Sequence, residues 1–134
     1  MLDIEIANNF IKDINTFELS SDEVHIKIAN LLKDNPIVLF MKGIKDFPAC
    51  GFSAKVVYIL NQYNTPYITI DVLQSSTIRD EIKKFSDWLT IPQLYIKEKF
   101  IGGCDIVSKM HENNKLKSLL EEFMFEDKDS LSNN

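Results

Sequence analysis

Ile37-Val38-Leu39-Phe40-Met41-Lys42-Gly43-Ile44-Lys45-Asp46-Phe47-Pro48-Ala49-Cys50-Gly51-Phe52-Ser53 opens with a short, apolar, partly β-branched run and closes on a single cysteine followed by a serine. The first five residues suit a buried strand, and from Ser53 to Asn64 apolar residues recur at helical spacing. Cys50 therefore falls at a helix N-terminus. Unpaired amides and the positive end of the helix dipole favour a thiolate there, and Lys42 and Lys45 push the same way. Ser53 stands where a Cys-x-x-Cys pair would place its second thiol, so no disulfide closes within the motif. A second thiol has to come from elsewhere.

The remaining composition bounds the reading. A chain of 134 residues, 45% hydrophobic and 26% charged, suits one globular domain. A net charge of −5 without a basic stripe argues against nucleic acid and anionic membrane surfaces, and no apolar run reaches the length of a membrane span. The opening Met1-Leu2-Asp3-Ile4-Glu5 has neither the basic start of a secretory signal nor the Arg-rich, acid-poor character of a transit peptide. A cytoplasmic location is expected, with the mitochondrial matrix or another organelle open if a presequence has been removed. Two cysteines, Cys50 and Cys104, do not make a disulfide scaffold or a zinc-ligand pattern.

Along the chain, residues 1–20 read as an N-terminal arm or amphipathic helix, 21–125 as the folded domain and 126–134 as a flexible acidic tail. Ser20-Ser21-Asp22 supplies capping chemistry for a helix through Lys33, which Pro36 prevents from continuing. After the Cys50 helix, Thr65-Pro66 turns the chain into a strand at Tyr67–Asp71, and a helix follows from about Ser76 to Phe85. From Pro92 the pattern changes to a hairpin, Gln93–Ile96 and Lys99–Ile101, closed by Gly102-Gly103. Helices at 105–111 and 115–125 complete the chain. Parallel strands joined through a helix, then an antiparallel hairpin and terminal helices, give an α/β fold: a small mixed sheet covered on both faces.

Four blocks, Met41-Lys42-Gly43, Phe47 to Ser53, Thr90-Ile91-Pro92-Gln93-Leu94-Tyr95 and Phe100-Ile101-Gly102-Gly103-Cys104-Asp105, resemble in order and spacing the motif series of the CGFS-type monothiol glutaredoxins. The resemblance covers about residues 35–111. It implies a thioredoxin-like (glutaredoxin) fold with a four-stranded sheet, bound glutathione, and a [2Fe–2S] cluster shared between two protomers. It also implies roles in iron–sulfur delivery and iron handling, with a BolA-like protein and cluster-accepting proteins as partners.

Glutathione carries two carboxylates, one ammonium and one thiol, and residues here can meet each charge. Lys42 and Arg79 match positions where the family holds the glycine carboxylate, and a planar guanidinium suits that task. Gly103, Cys104 and Asp105 open a helix whose amides can receive the γ-glutamyl carboxylate while Asp105 accepts from the ammonium. Ile91-Pro92 is the remaining wall. The family pattern implies a cis peptide there that lets the Ile91 backbone pair like a strand with the ligand, whereas Pro92 on its own would be a residue that begins a strand.

A [2Fe–2S] centre takes four thiolate-type ligands, and one suitable cysteine per chain cannot supply them. Two Cys50 sulfurs and two glutathiones can, which predicts a homodimer that exists only with the cluster. The same Cys50 suits a rival function, at most a weak glutathione-dependent oxidoreductase that attacks mixed disulfides as a nucleophile. Blander readings stand beside these. A lone cysteine is commonly a buried small hydrophobe, which fits Cys104 better than Cys50; a Cys50–Cys104 disulfide would be visible as linked peptides in oxidised protein. Trp88 reads as packing at the pocket rim, and His25 and His111 as surface residues. The chain departs from the family at three places: Ile44-Lys45 adds charge near Cys50, Leu89 replaces a proline and puts the rigidity of its loop in doubt, and Glu98 replaces a hairpin glycine, pointing to a longer or different turn.

Overall fold

In the computed structural model, which describes residues 2–122, Ile37–Met41 forms β1 in the interior of a four-stranded sheet. On one side β1 pairs in parallel with β4 (Ile68–Asp71), Val38 opposite Ile68; on the other it pairs antiparallel with β5 (Gln93–Ile96), Val38 opposite Tyr95. The hairpin partner β6 (Lys99–Gly102) forms the far edge. All five residues of β1 are buried, because both faces of the sheet are covered.

The period of two divides β1 between two cores. Val38 and Phe40 join Ile68, Ile70 and Tyr95 under α1 (Asp3–Thr16), α2 (Ser21–Asp34) and α4 (Ser76–Ser86). Ile37, Leu39 and Met41 join Leu94 and Ile96 under α3 (Gly51–Leu60), α5 (Cys104–Glu112) and a last helical stretch, residues 115–122, which inserts Leu116 and Leu120. Between α1 and the sheet the apolar stripe is continuous: Ala7, Phe10, Ile11 and Ile14 are buried in the first core. The N-terminal segment is thus a packed helix, one of the three that cover that face. The expected acidic tail and the end of the last predicted helix lie outside the described residues.

The capping expected at Ser20 forms. Its hydroxyl accepts from the Glu23 amide at 3.2 Å, and the Glu23 carboxylate accepts from the Ser20 amide at 3.1 Å. At the β5–β6 turn the structure corrects the sequence reading. The turn stays at two residues, and Lys97 and Glu98 both adopt positive φ, 49° and 70°. The Lys97 amide donates to Pro36 O at 2.7 Å, which anchors the turn against the end of α2. Strand register thus overrides the glycine preference, at a cost of roughly 1 kcal/mol or more for each of the two residues.

Candidate functional site

Between β1 and α3 the chain makes a small hairpin that sequence periodicity did not anticipate. β2 (Gly43–Ile44) pairs with β3 (Phe47–Pro48), Ile44 opposite Phe47. Gly43 makes it possible: its φ is +90°, and a Cβ there would stand 2.5 Å from the Ala49 amide nitrogen and 2.6 Å from the Phe47 carbonyl oxygen. Asp71, at the end of β4, accepts the Gly43 amide at 2.9 Å, and Ala49 N–H donates to Lys42 O at 2.8 Å. These contacts deliver Cys50 to the start of α3 as its N-cap, half-buried, with its sulfur turned back over the first turn.

Both polar groups of Ser53 converge on that sulfur. The Ser53 amide donates to Sγ at 3.4 Å, and Ser53 Oγ also lies at 3.4 Å, where its hydroxyl donates to the sulfur once the thiol is ionised. Ser53 is fully buried, and its oxygen accepts the Lys42 amide at 3.1 Å, which directs the hydroxyl proton towards Sγ. Partial burial pushes the thiol up, but the Ser53 hydroxyl, the Ser53 and Phe52 amides and the Lys42 ammonium outweigh it, and the net direction is downward. Lys45 takes no part, contrary to expectation. Its Nζ donates to Tyr67 O at 2.8 Å and sits 3.9 Å from the centre of the Tyr67 ring, bracing the hairpin against the strand.

Ser53→Ala is therefore expected to raise the thiol and leave the Lys42 amide without its partner. Iodoacetamide alkylation followed against pH should show a midpoint below the ordinary thiol value in the wild type and a higher midpoint in the variant. Coinciding curves would remove Ser53 from the account.

Next to Phe52, two residues beyond Cys50, lies a groove of about 510 Å³; Cys50 itself is not among the residues that line it. Its wall contains all seven residues singled out for glutathione: Lys42, Arg79, Ile91, Pro92, Gly103, Cys104 and Asp105. Phe52 of α3 borders it on the Cys50 side. The Ile91–Pro92 peptide is cis, and among the described residues the Ile91 backbone has no hydrogen-bonded backbone partner, so its N–H and C=O remain open to a ligand. Gly103 caps α5 without a side-chain bond to its first-turn amides, and a Cβ there would press to 3.3 Å on both Pro92 O and Trp88 Nε1. Asp105 is exposed at the mouth, whereas Cys104 is buried in the wall, the environment of a packing cysteine.

Sequence reasoning missed several contributors. Lys83 lines the groove one helical turn from Arg79, a spacing of four that would have revealed it. Gln93 is wholly buried, and its Nε2 donates to Trp88 O at 3.0 Å and Thr90 O at 3.3 Å. The Trp88 amide donates to Ser86 Oγ and Lys83 O, so hydrogen bonds hold the loop at Leu89 in place of the absent proline. Trp88 packs on Phe100 with ring centroids 5.6 Å apart, as expected of a rim residue, while its indole Nε1 is buried without a partner. His25 and His111 are not plain surface residues: His25 Nε2 meets Glu81 at 2.8 Å, and His111 Nδ1 meets the Tyr63 hydroxyl at 2.6 Å. His25 ties α2 to α4, and His111 ties α5 to the turn that follows α3.

The wall thus combines cations from Lys42, Arg79 and Lys83, one carboxylate, open helix amides and an unpaired backbone edge. It suits an extended, zwitterionic ligand with more than one carboxylate. Among the described residues no cluster of three His, Cys, Asp or Glu side chains forms a metal site, and no helix is long and apolar enough to cross a membrane.

Comparison with known proteins converges on one family. Residues 37–101 match the family model described as glutaredoxin. The chain is 50% identical over 95 residues to a probable monothiol glutaredoxin 2 of Rickettsia typhi, covering 71% of this chain and 86% of that protein. Among solved structures it resembles reduced apo GrxS14 of poplar, with a TM-score of 0.68, 39% identity and coverage of 77% of this chain and 94% of that one. It also resembles a buckwheat glutaredoxin–glutathione complex, with a TM-score of 0.69, 29% identity and coverage of 79% and 94%.

Proposed function

The chain belongs to the monothiol glutaredoxin family, and from that premise we propose that it binds glutathione and carries a labile [2Fe–2S] cluster, as cargo, between two protomers. The observation that carries the proposal is the pairing of one ionisable, half-buried sulfur with a groove matched to a tripeptide that brings its own thiol. Ser53 is the complement of that arrangement. A buried hydroxyl supports the thiolate without competing for it, as a second thiol would by closing a disulfide.

The donor chemistry fits the cargo. Cys50 offers the soft, ionised sulfur that iron–sulfur centres take, and Cys104, buried in the wall, does not. In the groove, Lys42, Arg79 and Lys83 meet the carboxylate of the ligand's glycine end. The α5 amides and Asp105 meet its γ-glutamyl end, and the Ile91 backbone aligns its cysteinyl unit. The glutathione thiol is thereby presented beside Cys50. Two protomers arranged this way supply four sulfurs, so loss of the cluster separates them. A reducing compartment, cytoplasmic or organellar, suits a protein that works through free thiols. A BolA-like protein and apo-proteins that receive clusters are the partners this function calls for.

A second reading is favoured by the lowered thiol itself. Cys50 thiolate attacks the glutathione sulfur of a protein–glutathione disulfide, forming a Cys50–glutathione disulfide and releasing the protein thiolate. A second glutathione thiolate then displaces Cys50, leaving oxidised glutathione. Supplying iron, sulfide and glutathione to the apo-protein separates the two readings. A visible chromophore with a doubled mass supports the carrier; a colourless monomer that rapidly strips glutathione from a modified peptide supports the enzyme.

A further inference from the structure

Among the described residues Glu81 is the one carboxylate in the buried set, and it lies away from the groove, between α4 and α2. Its Oε2 accepts from Ser21 Oγ at 2.5 Å and from His25 Nε2 at 2.8 Å, two residues one turn apart at the start of α2. Its Oε1 accepts from Lys84 Nζ at 3.2 Å. The His25 ring meets Phe85 edge-on at 5.6 Å. The Ser21 hydroxyl leads in holding the Glu81 carboxyl below its ordinary value, against the opposing effect of burial, with Lys84 and His25 adding to it.

A node of this kind adds little net stability, since apolar residues of similar size commonly do as well; its distinctive property is direction. Ile78 and Ile82 seal α4 to the core through contacts that tolerate a small rotation of the helix. Hydrogen bonds from two fixed points on α2 to one carboxylate do not tolerate it. That rotation matters because the groove-facing side of the same helix carries Arg79 and Lys83.

We propose that the Ser21–Glu81–His25 node sets the azimuth of α4 and thereby aims Arg79 and Lys83 at the glutathione carboxylate, making Glu81 a positioning residue for ligand binding. The inference rests on the glutathione reading above. It assigns to α2, which contributes no residue to the groove wall, a share of the affinity.

Calorimetric titration of the full chain with reduced glutathione tests it. Glu81→Leu keeps volume but removes the directional contacts, and is expected to melt near the wild-type temperature while the Kd rises about fivefold. Glu81→Gln, which still accepts from Ser21, returns the Kd to within about twofold of wild type. In an Arg79→Ala/Lys83→Ala background Glu81→Leu changes the Kd no further, because the groups it aims are gone. An unchanged Kd in folded Glu81→Leu overturns the inference, as does an equal fold-loss in the double-variant background. Should Glu81→Leu not fold, Ser21→Ala serves instead: a weaker Kd supports the node and a wild-type Kd refutes it. Wild-type protein that binds no glutathione brings down the underlying reading, a different failure from a wild type that binds and a Glu81→Leu that binds equally well.

Discussion

Cys50→Ser abolishes the chromophore and the cluster-dependent dimer after reconstitution with iron, sulfide and glutathione. The thiol it removes is the only half-exposed cysteine among the described residues, and nothing nearby can replace it: Ser53 is buried and hard, and Cys104 lies in the groove wall. A serine hydroxyl at position 50 does not ionise at neutral pH and is a poor ligand for iron–sulfur centres, which favour thiolate. The loss is therefore expected to be complete, not graded. Glutathione affinity of the apo-protein should stay near wild type, because the ligand's charges are met by residues other than Cys50. Cys104→Ser, in contrast, should retain the cluster. Visible absorption and sedimentation on the three proteins decide the matter; a coloured dimer from Cys50→Ser would remove Cys50 as a ligand.

The second large effect belongs to the cations. Lys42→Ala and Arg79→Ala each delete a charge-assisted contact of about 1.5–3 kcal/mol in full burial. Arg79 is 44% exposed, so solvent screening reduces its share. About a tenfold loss of glutathione affinity for each, and about a hundredfold for both, follows if the two act independently. Arg79→Lys should recover only part, since an ammonium lacks the planar fork that matches a carboxylate. The wild-type affinity should also weaken with added salt more steeply than that of the double variant. Calorimetric titration at two ionic strengths measures both quantities, and a double variant that binds within threefold of wild type would take these cations out of the site.

Where local pattern decides the outcome, the sequence was legible. β1 reads as a buried strand because its apolar run needs cover on both faces, and Cys50 reads as a helix start because the periodicity changes just beyond it. The groove was legible only through the family resemblance: its expected residues come from motif blocks at the end of β1, before β5 and at the start of α5, and from Arg79 of α4 outside those blocks, yet they line one wall. What escaped depends on partners distant in sequence. The β2–β3 hairpin needs an acceptor on Asp71, and Lys45 turns from Cys50 because Tyr67 offers a carbonyl and a ring face. His25 and His111 look solvated on their own helices and become links only when α4 and the turn after α3 pack against them. Glu98 shows the reverse case, a local preference overridden by the strands it joins.

Glutathione content per cluster is the measurement closest to the central claim. Protein reconstituted with glutathione, freed of unbound thiol by gel filtration and then acid-quenched, should release glutathione and iron in equal amounts, two of each per dimer, as four shared sulfurs require. Omitting every small thiol should leave the protein colourless and monomeric. A stable [2Fe–2S] chromophore on protein stripped of glutathione, or one that releases none on acid quench, would contradict the account.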